Sequence, residues 1–326
     1  MAVPLLPGEA ALDEDWIADI IELAHQQPDD AVAKNTARTY VQLMSCAAGL
    51  FEPAELARLA PRKRSKLCRP ETNGNGAPGT DPIAGTEAIA YDFLARGGKH
   101  SRPFITLAVY DALSRSSNGF HGRTDRTCAL PDAVKRTALS IETFHKASLV
   151  HDDIQDDDQF RYGEATLHRK YGTPTAINVG DYLIGLGYRL VSRESKTLGA
   201  DAVSDILDRL ADAHMKLSEG QGAELLWRDS LDKRLTSSDA LNIYALKTAP
   251  AFEAALYAGL RLAGPVSAGA DLVSQFARNL GIAFQILNDL NDWDGDDHNK
   301  LSAAGDTIGG RPTVLWALAL ETLTPA

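Results

Sequence analysis

Five aspartates fall within seven residues of one segment of this chain, LVHDDIQDDDQFRYG. If the segment is helical, Asp152 and Asp156 lie one turn apart, with their carboxylates on one face and about 6 Å apart along the axis. Mg²⁺ would offset the repulsion between these charges, because it takes carboxylate oxygens and bridges to substrate phosphates. The alternative is a solvated acidic helix end, since runs of charge usually face water.

A second acidic cluster closes another apolar helix, in the segment IAFQILNDLNDWDGDDHNK. Asp289 and Asp292 are three residues apart and therefore share a helix face. Two carboxylate clusters, each at the end of an apolar helix, predict a pair that faces one polyanion. Divalent ions held between them would neutralise a diphosphate and assist its departure as a leaving group.

Basic side chains that could bind the remaining phosphate charge occur in three segments. Lys99 and Arg102 in GGKHSRP stand at a predicted helix start, where free N–H groups and basic side chains both favour anions. Lys247 in YALKTAP and Lys300 in HNKLSAAGD are further candidates. Each lysine taken alone would be interpreted as a surface residue, because lysine is rarely buried.

The elements that must position these residues are predicted to be helical. Beyond residue 83, apolar residues recur at i, i+3 and i+4, and alternating strand patterns are scarce. This pattern predicts an all-α bundle of eight or more helices. We divide the chain into an N-terminal helical extension (1–60), a flexible linker rich in Gly, Pro and Asn (61–82) and a helical domain (83–326).

The composition and the distribution of apolar residues argue against several classes of protein. The 326 residues include 33 basic and 44 acidic ones, a net charge of −11 that argues against a nucleic-acid binder. Three scattered cysteines without metal spacing indicate a reducing compartment. No apolar run reaches the roughly 18 residues of a membrane span, and the N-terminus lacks the pattern of a signal peptide. We therefore expect a cytoplasmic protein without a transmembrane segment.

Several ordered motifs resemble those of the trans-type isoprenyl diphosphate synthases, which make farnesyl, geranylgeranyl and longer polyprenyl diphosphates. The resemblance covers about residues 84–320. It implies an isoprenoid-synthase-type helical bundle around a central apolar cavity, up to three Mg²⁺ ions, and a homodimer. It also implies that the C-terminal helices of the family are missing from this chain. The motifs are GGKHSRP, HKASLVHDDIQD, RYGEATLH, GQGAE, KTA, FQILNDLND and GRPT.

The resemblance also implies a role for each matching residue. The metal ligands would be Asp152, Asp153 and Asp156 in the first motif and Asn288, Asp289 and Asp292 in the second. The allylic diphosphate would be held by Arg161, Lys247 and Lys300, and the isopentenyl diphosphate by Lys99, Arg102 and His145. Polar groups beside the reacting carbons would be Gln221, Thr248 and Gln285. The residues implied in the chemical step are Asp152, Asp153, Asp156, Lys247, Gln285 and Asp289.

The implied reaction is the attack of isopentenyl diphosphate on a carbocation formed when the allylic diphosphate ionises. Product length would then depend on the depth of the pocket below the first motif. Ala147 and Ser148, one turn before Asp152, are small and leave the pocket open. The expected product is therefore geranylgeranyl diphosphate or a longer chain.

Four positions depart from the family pattern. Tyr162 stands where a second arginine usually follows the first motif, and tyrosine cannot replace the bidentate guanidinium. Asn288 replaces an aspartate, His100 an arginine, and Glu224 an aspartate of GQxxD. These changes weaken the match to the residues for condensation with isopentenyl diphosphate more than the match to those that ionise the allylic diphosphate. Two alternatives therefore stay open. One is a terpene cyclase that ionises a single prenyl diphosphate, and the other is a non-catalytic partner subunit of a prenyl synthase.

Overall fold

The computed structural model describes residues 31–61, 82–117, 130–266, 270–294 and 305–323. The predicted linker, apart from its end residues, and Lys300 lie outside these residues. The helices and strands, in chain order, are α1 (Ala31–Gly49), α2 (Pro53–Leu59), α3 (Pro82–Ala95), α4 (Ser101–Ser117), α5 (Asp132–Gln155), β1 (Phe160–Arg161), β2 (Glu164–Ala165), α6 (Leu167–Tyr171), α7 (Thr173–Ser192), α8 (Ser195–Leu198), α9 (Ala200–Asp229), α10 (Ser237–Ala263), α11 (Ala270–Asp294), α12 (Gly305–Ile308) and α13 (Val314–Thr322).

The fold is all-α, as predicted, with α5 near its centre. More than half of the residues of α5 are buried, and the helix packs against α4 and α7. The next layer is formed by α9, α10 and α11, which pack side by side in chain order. The buried residues lie on nearly every face of α5, and most of them are apolar or small. Among the residues that the structure describes, no helix combines the length and the apolar character needed to cross a membrane.

Two glycines let neighbouring helices approach α10 closely on either side of Lys247. A Cβ on Gly220 of α9 would lie 2.6 Å from the backbone nitrogen of Lys247, and one on Gly281 of α11 would lie 2.7 Å from the Cα of Ala249. Any larger side chain would push the helices apart. These crossings fix the position of Lys247 and Thr248 between α9 and α11.

A short hairpin follows α5 and carries Arg161 back towards it. Strands β1 and β2 pair antiparallel, and the two residues between them, Tyr162 and Gly163, have φ angles of +55° and +73°. Two successive positive φ angles are typical of a type I′ turn, which suits the twist of a tight hairpin. Glycine adopts this conformation easily, whereas tyrosine is strained in it.

The N-terminal helices α1 and α2 pack onto the same hydrophobic core as the helices that follow. Phe51, Leu56 and Leu59 are buried in that core. Arg58 of α2 bonds Asp132 at the start of α5 through both terminal nitrogens, at 2.6 and 2.9 Å. The break predicted near residues 51–53 is present between α1 and α2. Residues 31–61 are therefore part of the bundle wall.

Candidate active site

One cavity of about 1040 Å³ collects most of the residues singled out from the sequence. It lies among α4, α5, α9, α10 and α11, and its walls are both polar and apolar. The predicted site residues along it are Lys99, Arg102, His145, Asp152, Asp156, Arg161, Gln221, Lys247, Thr248, Gln285, Asn288 and Asp292.

Asp152, in the last turn of α5, and Asp156, which directly follows that helix, both line this cavity, as their spacing predicted. Burial raises the pKa of Asp152 to about 6, although the nearby Lys247 ammonium opposes the shift. Burial also raises the pKa of Asp156, against the effect of Arg311. Asp156 forms ion pairs with Arg228, at 3.2 Å, and with Arg311, at 2.7 Å. The two carboxylates thus lie in a low-dielectric site that favours a counter-cation.

Arg311 joins the first acidic segment to the second. Its guanidinium also contacts Asp306 at 2.6 Å, and the backbone N–H of Asp306 donates to Asp292 at 2.9 Å. Burial alone would lower the pKa of Arg311, but Asp306 and Asp156 raise it, so the guanidinium stays charged. The sequence placed Arg311 only within the GRPT motif, and nothing in its spacing indicated this bridge.

Asp153 and Asp289 do not lie along the cavity, contrary to the expectation for both motifs. Asp153 is 1% exposed and accepts a hydrogen bond from Arg161 Nε at 2.9 Å. Asp289 is 3% exposed, accepts a hydrogen bond from the Tyr244 hydroxyl, and has its pKa raised to about 6 by burial. Consecutive residues on a helix point about 100° apart, and this rotation directs the Asp153 carboxylate to Arg161 rather than to the cavity. Asp153 positions Arg161 instead, and Asp289 anchors Tyr244.

The carboxylates fit a divalent cation only together with further ligands. Within the described ranges, no group of three or more His, Cys, Asp or Glu side chains is arranged to hold a metal ion. Mg²⁺ does not need such a group, because it is usually bound by one or two carboxylates together with waters and substrate phosphates. Asp152 and Asp156 meet that requirement, and Asp292 and Asn288 add oxygen atoms from α11.

Lys247 is the cation that α10 brings to the carboxylates. Its ammonium donates to Glu224 at 2.8 Å. Burial would lower the pKa of Lys247, but Glu224 and Asp152 outweigh it and raise the pKa. Glu224 is itself 6% exposed, and the 2.8 Å contact shows that the glutamate at this position reaches the lysine.

A second group of cations lies where the segment Gly97–His100, here called the GGKH loop, enters α4. Lys99 is exposed at the cavity, whereas Arg102 is 8% exposed and stacks over the Phe252 ring with 4.9 Å between Cζ and the ring centroid. Arg102 Nε has no hydrogen-bond acceptor in the described part of the chain. His145 lies nearby, and burial together with Arg102 holds its pKa well below the usual range. This end of the cavity favours an anion.

Apolar side chains form the rest of the wall. Ser148 lines the cavity as predicted, but Ala147 is buried away from it. Phe144, a further turn back along α5, also lines the cavity and makes an edge contact with Tyr188 at 4.7 Å between ring centroids. A Cβ on Gly187 would lie 2.8 Å from the Phe144 ring, so this glycine makes room for it. The pocket that the small residues open is therefore bounded by an aromatic ring.

Residues 85–326 match the family model described as polyprenyl synthetase. Geranylgeranyl diphosphate synthase of Sulfolobus acidocaldarius is 32% identical over 233 residues, which are 71% of this chain and 66% of the relative. Geranylfarnesyl diphosphate synthase of Aeropyrum pernix is 34% identical over 231 residues, covering 70% and 68%. The chain thus spans slightly less than two thirds of the Sulfolobus protein.

A solved structure of polyprenyl synthase from Caulobacter crescentus, complexed with calcium and isoprenyl diphosphate, has the same fold. It superposes with a TM-score of 0.65 at 27% sequence identity, over 86% of this chain and 74% of that one. The isoprenoid-synthase-type bundle expected from the motifs is therefore confirmed.

Proposed function

The chain belongs to the polyprenyl synthetase family, and from this premise we propose that it is a divalent-metal-dependent prenyltransferase. It condenses an allylic prenyl diphosphate with isopentenyl diphosphate. The observation that carries this proposal is the make-up of one cavity. Carboxylates from α5 and α11, the cations of the GGKH loop and apolar side chains all line the same space. Such a space suits two diphosphates and one hydrocarbon chain.

Mg²⁺ is the proposed cofactor, at up to three ions, with Asp152, Asp156, Asn288 and Asp292 as its protein ligands. When bound, it neutralises the allylic diphosphate and assists its departure. The Caulobacter structure, which contains calcium and isoprenyl diphosphate, supports the choice of a divalent metal.

The side chains of this chain supply orientation and fixed charge. Lys247 and Arg161 are each held by a buried carboxylate, Glu224 and Asp153 respectively, and so present cations without reorganising. Lys99 and Arg102 bind the second diphosphate. The apolar wall around Phe144 keeps water away from the carbocation, because water would otherwise add to it and give an alcohol.

We further propose geranylgeranyl diphosphate or a longer chain as the product, from the small Ser148 along the cavity. A homodimer and a cytoplasmic location are carried over from the family resemblance and the sequence composition.

The test is incubation with Mg²⁺ and geranyl or farnesyl diphosphate, with and without labelled isopentenyl diphosphate. Elongated diphosphates that require both substrates are expected, and the Asp152→Asn variant should lack them. Tyr162 favours a second candidate, a terpene cyclase, because its ring stands where the family pattern has a guanidinium. Hydrocarbons or alcohols from the allylic substrate alone would support the cyclase. No turnover, also after addition of a catalytic partner, would contradict both enzymes.

A further inference from the structure

Lys146 is a buried cation that the proposed reaction does not yet use. Its side chain is 0% exposed and does not line the cavity. Its ammonium lies behind the GGKH loop, where it donates to the carbonyl oxygen of Gly97 at 2.6 Å and to that of Arg96. Burying a lysine side chain costs free energy, which its hydrogen bonds must offset. We therefore expect these hydrogen bonds to have a function in the site.

The aromatic ring of Tyr162 covers the same ammonium group. The distance from Lys146 Nζ to the centroid of the ring is 4.0 Å, which is a close cation–π contact. The ring also packs on the loop, because a Cβ added to Gly97 would lie 2.9 Å from its Cδ1 atom. Lys146, Tyr162 and the loop are thus packed as one unit. An arginine at position 162 would bring a second cation next to Lys146.

The contacts of Lys146 fix the orientation of two consecutive peptide groups. Since a trans peptide holds its C=O and the following N–H in opposite directions, the N–H groups of Gly97 and Gly98 point away from Lys146. No described residue accepts a hydrogen bond from the backbone N–H groups of residues 97–100. Gly98 and His100 have φ angles of +120° and +47°. Residues 97–100 all line the cavity, so N–H groups without a described protein acceptor are available there to an anion.

Glu142 is a buried acidic residue beside the two buried basic residues Lys146 and Arg102. Glu142, one turn before Lys146 on α5, is 2% exposed and interacts with both Lys146 and Arg102. Burial lowers the pKa of Lys146 to about 7, a change that Glu142 opposes, and burial raises the pKa of Glu142. An anion bound at the loop would favour the charged form of Lys146, as Glu142 does.

We propose that Lys146 is a positioning residue for the isopentenyl diphosphate subsite, an inference that rests on the proposed function. Its ammonium holds the GGKH loop with the N–H groups of Gly97 and Gly98 available to a phosphate. It also supplies, from α5, the positive charge that Tyr162 does not provide.

Binding of inorganic pyrophosphate in EDTA tests this without turnover, because chelation leaves only the cationic subsites. Calorimetry would compare wild type with Lys146→Met and with Lys216→Met, which removes an exposed lysine of α9. We expect affinity to fall about tenfold or more in Lys146→Met, the range for hydrogen bonds to a charged group. It should not change in Lys216→Met. Circular dichroism checks folding, and Lys146→Gln replaces Lys146→Met if the latter does not fold.

Steady-state kinetics then separate positioning from general support of the fold. In Lys146→Gln, the KM for isopentenyl diphosphate should rise about tenfold while the KM for the allylic substrate changes less than about twofold. Tyr162→Arg alone should also raise the first KM, because two cations are forced together. Lys146→Met combined with Tyr162→Arg should recover most of the loss, as expected for two coupled positions.

The outcomes distinguish this inference from the proposed function. If wild type makes no condensation product, the proposed function fails, and the pyrophosphate titration still decides the role of Lys146. Equal pyrophosphate affinity in wild type and Lys146→Met would overturn the inference. So would equal effects on both KM values, or a double variant no better than Lys146→Met.

Discussion

The guanidinium of Arg311 lies 2.7 Å from the carboxylate of Asp156 and thereby ties the segment after α11 to the C-terminal end of α5. The same guanidinium holds Asp306, whose N–H donates to Asp292 of α11. Two carboxylate groups far apart in the sequence are therefore held at one place by a single cation. In this arrangement, the protein's own arginine partly neutralises the charges that a divalent ion would neutralise in the enzyme–substrate complex.

Replacing Arg311 should make the protein depend on magnesium for part of its stability. In Arg311→Gln, Asp156 and Asp306 lose their shared partner, so the free energy of unfolding in EDTA should fall by roughly 3 kcal/mol, as for other broken buried pairs. Added Mg²⁺ should recover much of this loss by binding the folded state. Thermal denaturation with and without Mg²⁺ measures both effects. Arg278→Gln, on the exposed surface of α11, is the control, and an identical response of the two variants would refute the bridge.

The neighbouring residues Asp152 and Asp153 should respond differently to the same substitution. Asp152→Asn should cut turnover by about 100-fold or more, because a metal supplies several kcal/mol of charge stabilisation. Its thermal stability should not fall, since burying the ionised carboxylate is unfavourable. Asp153→Asn leaves Arg161 without its main partner and should cost roughly 3–5 kcal/mol of stability.

Asp157→Asn is the matched control for both variants, because the Asp157 side chain is 74% exposed. Turnover assays and chemical denaturation separate the two effects. A loss of stability in Asp152→Asn as large as that in Asp153→Asn would mean that the two residues have the same role.

The effect of Mg²⁺ on stability should depend on pH. Burial raises the pKa of Asp152 and Asp289 to about 6 in the folded protein, above the ~3.9 expected in the unfolded chain. The folded state therefore binds more protons between these values, so these groups lower stability as pH rises from about 4 to 6. Mg²⁺ competes with the proton on Asp152, so the Tm increase caused by Mg²⁺ should be larger at about pH 7.5 than at about pH 5.

The Asp152→Asn variant is the reference for this pH dependence. Its Mg²⁺-induced Tm increase should be small at both pH values. An increase in wild type that is equal at both pH values would show that Asp152 does not take part in metal binding.

Phe144 should limit the length of the product. Its ring lines the cavity two turns before Asp152, supported by Tyr188 and Gly187. Phe144→Ala removes this wall and should shift products to chains one or more isoprene units longer, detected by chromatography of the dephosphorylated alcohols. Phe276→Ala, at a position 54% exposed on α11, is the control. An unchanged product distribution in Phe144→Ala would assign the limit to another part of the wall.

The elements of this fold could be predicted from sequence because apolar periodicity is a local property. The predicted bundle of eight or more helices beyond residue 83 is present as α3–α13. The position of Asp152 and Asp156 along the cavity could be predicted from their helical spacing, and that of Lys247 from the order of the motifs. The directions of Asp153 and Asp289 did not, because they depend on Arg161 and Tyr244, whose positions are set by the hairpin and by the packing of α10 against α11. The role of Arg311 depends on a contact between distant segments, which spacing does not encode.

The central claim is that carboxylates from α5 and α11 bind divalent ions together at the cavity. A crystal grown with Mn²⁺ and pyrophosphate tests it most directly, because anomalous scattering locates the ions. We expect peaks about 2.0–2.3 Å from carboxylate oxygens of Asp152 or Asp156, with a further peak on the Asp292 side and pyrophosphate between them. Ordered pyrophosphate without any metal peak beside Asp152 and Asp156, or peaks confined to the outer surface, would contradict the claim.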